Sequence, residues 1–148
     1  MPNRIQRCWT RGWRKPAGAV YVGRGSKWGN PYRVVCGRAA RPPGAGRHTR
    51  PGYDSLHPPR WAVVGPCVAY GLVCADVYAG FDDRGRAATL STDLFRSHLR
   101  ENPDLVSAAR RELRGKDLMC WCPLTYPDGR PYPCHADVLL EIANAQEV

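Results

Sequence analysis

The sequence predicts a small single α/β domain, with a short mixed or parallel sheet flanked by about three helices and a long Arg/Pro/Gly-rich insertion. Three observations lead there. The chain has 148 residues, enough for one core and too few for two. Two apolar segments, at 19–22 and 117–122, are short enough for strands and rich in β-branched, aromatic or sulfur-bearing side chains. The last third then switches to helical spacing, giving the order strand, helix pair, strand, helix.

The elements follow from local chemistry. Ala19-Val20-Tyr21-Val22 reads as a buried strand stopped by Gly23, and Tyr32 to Cys36 as a second short strand. Residues 37–59 contain two Pro-Pro pairs and many Arg and Gly, too polar and broken to pack, so they read as a mobile insertion. Trp61 to Phe81 is apolar and β-prone, which fits a hairpin, although periodicity does not separate a strand from a buried helix there. Leu90, Leu94, Phe95, His98 and Leu99 share one helical face, with Ser91 or Thr92 as N-cap. Asn102-Pro103 opens a second helix carrying Leu105, Val106, Ala109 and Leu113, and Gly115 closes it. Asp117 to Cys122 predicts a central strand. His135 to Ala145 predicts a third helix burying Val138, Leu139 and Ile142. The expected organisation is a basic, aromatic arm at 1–18, then one α/β domain over 19–148 with its insertion at about 37–86.

Charge is distributed unevenly. Residues 1–60 hold 13 Lys/Arg and one acid, whereas residues 61–148 hold 9 Lys/Arg and 12 acids, within an overall net charge of +9. A polyanion is the expected partner of the first part. No apolar run approaches membrane-spanning length, and the N-terminal residues lack the apolar stretch of a signal peptide. The expectation is a cytoplasmic protein with no membrane partner. Seven cysteines, an odd number, then read as metal ligands, nucleophiles or core residues rather than as a disulfide framework. Cys8, Cys36, Cys67 and Cys74 show no metal spacing and read as structural.

Two turns concentrate the polar chemistry. In Gly23–Pro31, glycines let the backbone approach an anion. Arg24 offers a fork for phosphate, Ser26 a hydroxyl and Lys27 a point charge. Trp28 offers a stacking face, and Asn30 a reader of base or ribose edges. The plainer alternative is a turn whose tryptophan plugs the core. The second group is Cys120, Cys122, Cys134 and His135. Positions 120 and 122 of a strand share a face, and three thiols with an imidazole match a Cys3His zinc site in ligand type. The spacing matches less well, because neighbours such as Cys134 and His135 usually point apart. A competing reading makes Cys134 a nucleophile at a helix N-terminus and His135 an acid/base, with Asp137 either orienting His135 or meeting the helix dipole. In the plainest reading, Cys120 and Cys122 are small buried hydrophobes.

The segment Val20-Tyr21-Val22-Gly23-Arg24-Gly25-Ser26-Lys27-Trp28-Gly29-Asn30-Pro31, together with Leu113-Arg114-Gly115-Lys116-Asp117-Leu118-Met119-Cys120-Trp121-Cys122 and Cys134-His135-Ala136-Asp137-Val138-Leu139, resembles the DUF4326 family of small bacterial and phage proteins. The resemblance covers about residues 19–36 and 87–144. It implies that the Arg24–Asn30 loop and the Cys/His group belong to one site, and it supplies no reaction. The gap from Cys122 to Cys134 is longer than the family pattern, and 37–86 is expanded.

The expected function is an enzyme directed at a nucleotide or nucleic acid, a transferase or hydrolase acting at a phosphate or N-glycosidic bond. Arg24, Ser26 and Lys27 would hold phosphate, Trp28 and Asn30 the base or sugar, and Cys134, His135 and Asp137 the chemistry. The alternative is a non-catalytic nucleic-acid-binding module with a structural zinc site at Cys120, Cys122, Cys134 and His135. A third reading is a phage-type factor that binds a host protein through the Pro/Arg-rich insertion.

Overall fold

A computed structural model describes residues 1–36, 61–69, 72–81 and 83–145. Their element order is β1 (Arg4–Gln6), β2 (Val20–Tyr21), β3 (Arg33–Cys36), β4 (Trp61–Ala69), β5 (Leu72–Phe81), α1 (Arg84–Glu101), α2 (Pro103–Glu112), β6 (Leu118–Cys120) and α3 (His135–Asn144). The fold is a small α/β one, with three helices among the described residues. The expected mobile insertion at 37–59 lies outside the described residues.

The chain divides into two compact units, one formed by Met1–Asn30 with Arg96–Val148 and the other by Pro31–Phe95. The second unit holds an antiparallel sheet in the order β3-β4-β5. The apolar Trp61–Phe81 stretch is therefore a hairpin, and it pairs with β3 from Arg33↔Val64 to Cys36↔Trp61. The hairpin builds a separate sheet with β3, in which Ala62 and Val64 are buried and Val35 packs against them.

The first unit holds a parallel sheet in the order β1-β6-β2. Central β6 is fully buried, as the sequence of apolar and sulfur-bearing residues at 118–120 requires. It pairs Arg4↔Leu118 on one side and Val20↔Leu118 on the other. Part of the predicted N-terminal arm is thus a strand. Three residues are too few to show a period, so nothing in the sequence marked β1.

Helix boundaries reflect where hydroxyls and amides find partners. α1 starts earlier than predicted, because Asp83 Oδ1 accepts the Gly85 N–H at 2.8 Å. Ser91 and Thr92 are mid-helix residues instead of caps: Ser91 donates to the Tyr32 carbonyl and Thr92 to that of Ala88. Pro103 takes the first position of α2, but Asn102 makes no side-chain cap. Its amide donates back to the His98 carbonyl at 2.7 Å, closing α1. Gly115 adopts φ +71 after α2, and its N–H reaches Asn144 Oδ1. α3 packs against α2 and β6, and Leu113, Leu118, Val138 and Leu139 are fully buried. Burying each such side chain contributes about 1.5–3 kcal/mol. No helix among the described residues is long and apolar enough to cross a membrane.

Candidate metal centre and its surroundings

The three parallel strands deliver their next residues to one end of the sheet, where ligands of α/β sheets commonly bind. β1 leads into Arg7, Cys8 and Trp9, β2 into Val22 and the Gly23 turn, and β6 into Trp121 and Cys122. α3 begins there, with Cys134 as its N-cap.

Cys120, Cys122, Cys134 and His135 converge at this end, each offering one ligand atom within 4.8 Å of the others. The group can hold a metal ion. Cys120 Sγ and Cys134 Sγ are 3.1 Å apart, well beyond a disulfide bond length, and Cys8, Cys120, Cys122 and Cys134 are free thiols. Cys120 and Cys134 are 1% and 2% exposed, and His135 is 8% exposed. Cys122 is half-buried.

Local backbone conformation explains how adjacent residues share the cluster. Cys134 is extended, at φ −148 and ψ 144, and His135 is the first residue of α3. This change of conformation between 134 and 135 turns both side chains inward, so His135 Nδ1 lies 3.6 Å from Cys134 Sγ. His135 Nε2 lies 2.8 Å from the Val22 carbonyl, which can only accept, so Nε2 carries a proton and, in the neutral ring, Nδ1 is the ligand atom that faces Cys134. Two sulfurs also accept backbone N–H groups, Cys120 from Cys122 at 3.2 Å and Cys134 from Ala136 at 3.4 Å.

The crowded thiols split their proton affinities. Hydrogen bonds from Cys120 and Cys122, with His135 assisting, hold the Cys134 thiol far below its ordinary range. Hydrogen bonds with Cys122 and Cys134, followed by burial, push Cys120 far above it. At Cys122 the bond to Cys120 lowers the value, but Cys134 and burial outweigh it and raise the thiol to about 11. Burial disfavours the His135 imidazolium, yet the Cys134 sulfur offsets this and raises the ring above its usual value. Without a cation, the cluster favours one thiolate, at Cys134, over several.

The long gap between Cys122 and Cys134 does not loosen the cluster, because the chain doubles back on itself. Tyr126 N–H bonds the Arg130 carbonyl, Tyr132 N–H bonds that of Leu124, and Gly129 turns the tip at φ +86. The Tyr126 and Tyr132 rings pack at a tilt across it, with centres 4.9 Å apart. Arg4 fastens this excursion from β1. Its guanidinium, only 7% exposed, donates to the carbonyls of Tyr132, Pro123 and Leu124 and to Asp137 Oδ2 at 2.9 Å. Asp137 therefore faces Arg4, and the group that orients His135 is the Val22 carbonyl. Burial raises the Asp137 carboxyl despite the opposing charge of Arg4. Sequence reasoning placed Arg4 among arm cations, and no local signal pairs residue 4 with residue 137.

The Gly23–Pro31 turn meets the cluster at its root, through Val22. Beyond that, most of its predicted ligand groups serve the turn. Ser26 Oγ and Ser26 N–H both donate to the Gly23 carbonyl, and Gly29 N–H donates to Ser26. Lys27 pairs with Glu112 and lies 4.6 Å over the Trp28 ring. Trp28 is 4% exposed, so it plugs the interior and offers no open stacking face. Asn30 is half-buried. Arg24 is exposed, as is Lys27 beside its Glu112 partner, and the Arg24 carbonyl accepts the Tyr21 hydroxyl.

A site that sequence reasoning located only in part lies on the other side of β6. The exposed Trp9 ring stacks on Trp121 at 4.5 Å, and the Arg7 guanidinium lies 4.7 Å from the Trp121 ring centre and 5.3 Å from that of Tyr21. Arg7 and Trp9 belong to the basic, aromatic arm expected at 1–18. The contribution of Trp121, sandwiched between two cysteines in sequence, was hidden by them.

Fold and site together define a small α/β protein with a buried Cys3His cluster at the C-terminal end of a parallel sheet. The chain belongs to the family described as Domain of unknown function (DUF4326), whose profile matches residues 5–50 and 75–145, more than half of the sequence. Comparison with curated proteins and with solved structures returns no match.

Proposed function

We propose that the protein is a non-catalytic nucleic-acid-binding module stapled by a structural zinc ion on Cys120, Cys122, Cys134 and His135. The observation that carries this reading is the closed, oriented ligand set, four atoms within 4.8 Å with His135 Nδ1 turned toward the sulfurs. Three sulfurs and an imidazole favour zinc over a hard cation, and four protein ligands leave no open coordination position. A hydrogen bond fixing the far nitrogen of a ligand histidine is the usual support of such a site. The catalytic alternative needs Cys134 to meet a substrate, yet its sulfur is enclosed by Cys120, His135 and the start of α3. A nucleic acid partner is favoured by the cation excess of residues 1–60 and by the Arg7/Trp9/Trp121 stack.

Metal binding in small zinc modules is worth about 10–16 kcal/mol, as large as the whole stability of a typical domain. Zinc here would therefore act as a folding cofactor. Protein purified without a tag is expected to carry about one zinc per chain, as a Cys3His set requires. Cys134→Ser is expected to lose both the metal and cooperative unfolding. The metal-loaded protein is expected to bind oligonucleotides with an affinity that falls steeply as salt rises. Metal-free protein whose Cys134 is alkylated in the folded state as fast as a free thiol would overturn the staple and restore thiol chemistry.

A further inference from the structure

At the C-terminal end of the parallel sheet lies a cavity of about 460 Å³, lined by Arg7, Trp9, Trp13, Lys15 and Tyr21 over a floor that includes Met119. Its volume suits one nucleobase with its sugar. The described lining residues include two cations and no acid. Trp9 is 86% exposed although it stacks on Trp121, so its outer face is open to a further ring. An indole left this open beside a cavity is unusual on a soluble surface and marks a place where something stacks.

The surrounding chain supplies what a base alone would not need. Arg7, Arg11, Arg14 and Lys15 alternate with Trp9 and Trp13 over nine positions, and Arg11, Arg14 and Lys15 are exposed. A short segment with cations between aromatic rings can follow a phosphodiester backbone while bases stack in turn. The Arg7 guanidinium is held within 5.9 Å of the centres of three rings, Trp9, Tyr21 and Trp121. That arrangement fixes its plane and leaves it able to reach a phosphate beside the stack. Trp121 lies between Cys120 and Cys122, so the inner ring of the stack is positioned by the cluster itself.

We infer that this cavity and the Trp9–Trp121 stack form the binding site for single-stranded nucleic acid, with a base on Trp9 and the backbone along Arg7, Arg11, Arg14 and Lys15. The inference deepens the proposed function and rests on it. It places the partner on the surface beside β1, within the basic, aromatic 1–18 segment whose charge already favours a polyanion, rather than on the Gly23–Pro31 turn. A duplex is excluded from this site in the inference, because its bases are already stacked on one another.

The test is fluorescence anisotropy of labelled 15-nucleotide dT and U strands with the zinc-loaded full chain. Wild-type protein is expected to bind the strands, and Trp9→Ala to weaken binding by about tenfold with zinc content and melting temperature unchanged. Trp9→Phe is expected to recover most of the loss, since a phenyl ring still stacks. An equal-length duplex and thymidine monophosphate are expected to compete at least tenfold less well than the dT strand. Preference for dT or U reports the 2′-hydroxyl and the C5 methyl together, an added dU strand separates the two, and either preference supports the site. If wild type binds and zinc-loaded Trp9→Ala binds equally well, the site is wrong while nucleic-acid binding stands. If thymidine monophosphate competes as well as the strand, the strand assignment is wrong. If wild type binds no strand at any salt, the proposed function itself fails.

Discussion

The Gly23–Pro31 turn and the Cys120–His135 cluster hang from the same end of one sheet, yet they direct their polar groups in opposite ways. In the turn, Ser26 closes on Gly23, Lys27 on Glu112, and Trp28 is buried, so its chemistry is largely consumed by its own geometry. In the cluster, four ligand atoms lie within 4.8 Å of one another, close enough to hold one metal ion together. The difference separates a motif whose residues build a shape from one whose residues await a ligand. Residue type alone does not distinguish the two, and direction does.

Substitutions at three positions probe that contrast, beginning with the support of the cluster. Arg4→Ala removes a guanidinium that serves four acceptors from a nearly closed position. It is expected to lower stability by about 3 kcal/mol in urea titration of the zinc-loaded protein. Arg4→Lys is expected to recover little, since a point charge cannot serve so many acceptors. A small loss for Arg4→Ala would mean that the cluster holds the 123–133 excursion without help.

The turn should respond more weakly. Gly25 has φ +85 and open space where a Cβ would lie, so Gly25→Ala adds backbone strain alone. A loss of about 1 kcal/mol is expected, with zinc content unchanged. Zinc loss in this variant would show that turn and cluster are one unit, against the contrast drawn above. Gly23 and Gly29 are poorer probes, because an added Cβ would strike the Tyr21 ring or crowd the Gly23 carbonyl.

The smallest effect is expected at Lys27. Its hydrogen bond, opposed by burial and reinforced by its charge, holds the Glu112 carboxyl below the ordinary range. A lowered carboxyl stabilises the folded state above its unfolded pKa, and that contribution disappears as pH falls through the folded value. The pair is exposed, however, so Lys27→Ala is expected to melt as wild type does from neutral to acid pH. A clear drop above the carboxylate range would show that the turn depends on this pair.

Much of this architecture was legible in the sequence. The central strand at 118–120 followed from its run of buried residue types, α2 from Asn102-Pro103, and α3 from the spacing of Val138 and Leu139. The metal ligands were legible as types. Their convergence was not, because it depends on one backbone change between Cys134 and His135 and on a hairpin-like excursion that returns Pro133 to the level of Cys122. β1 escaped notice because three residues carry no period. The roles of Arg4 and Trp121 escaped for another reason: their partners lie more than a hundred residues away, and pairings across that distance leave no local pattern. Trp28 misled because a tryptophan between glycines has the composition of a stacking site and here fills the interior.

The most direct measurement of the central claim is X-ray absorption at the zinc edge on protein as purified. The account predicts a first shell of three sulfurs at about 2.3 Å and one nitrogen at about 2.0–2.1 Å, with no bound water. A protein without zinc, or a zinc shell of oxygens and nitrogens without sulfur, would contradict it.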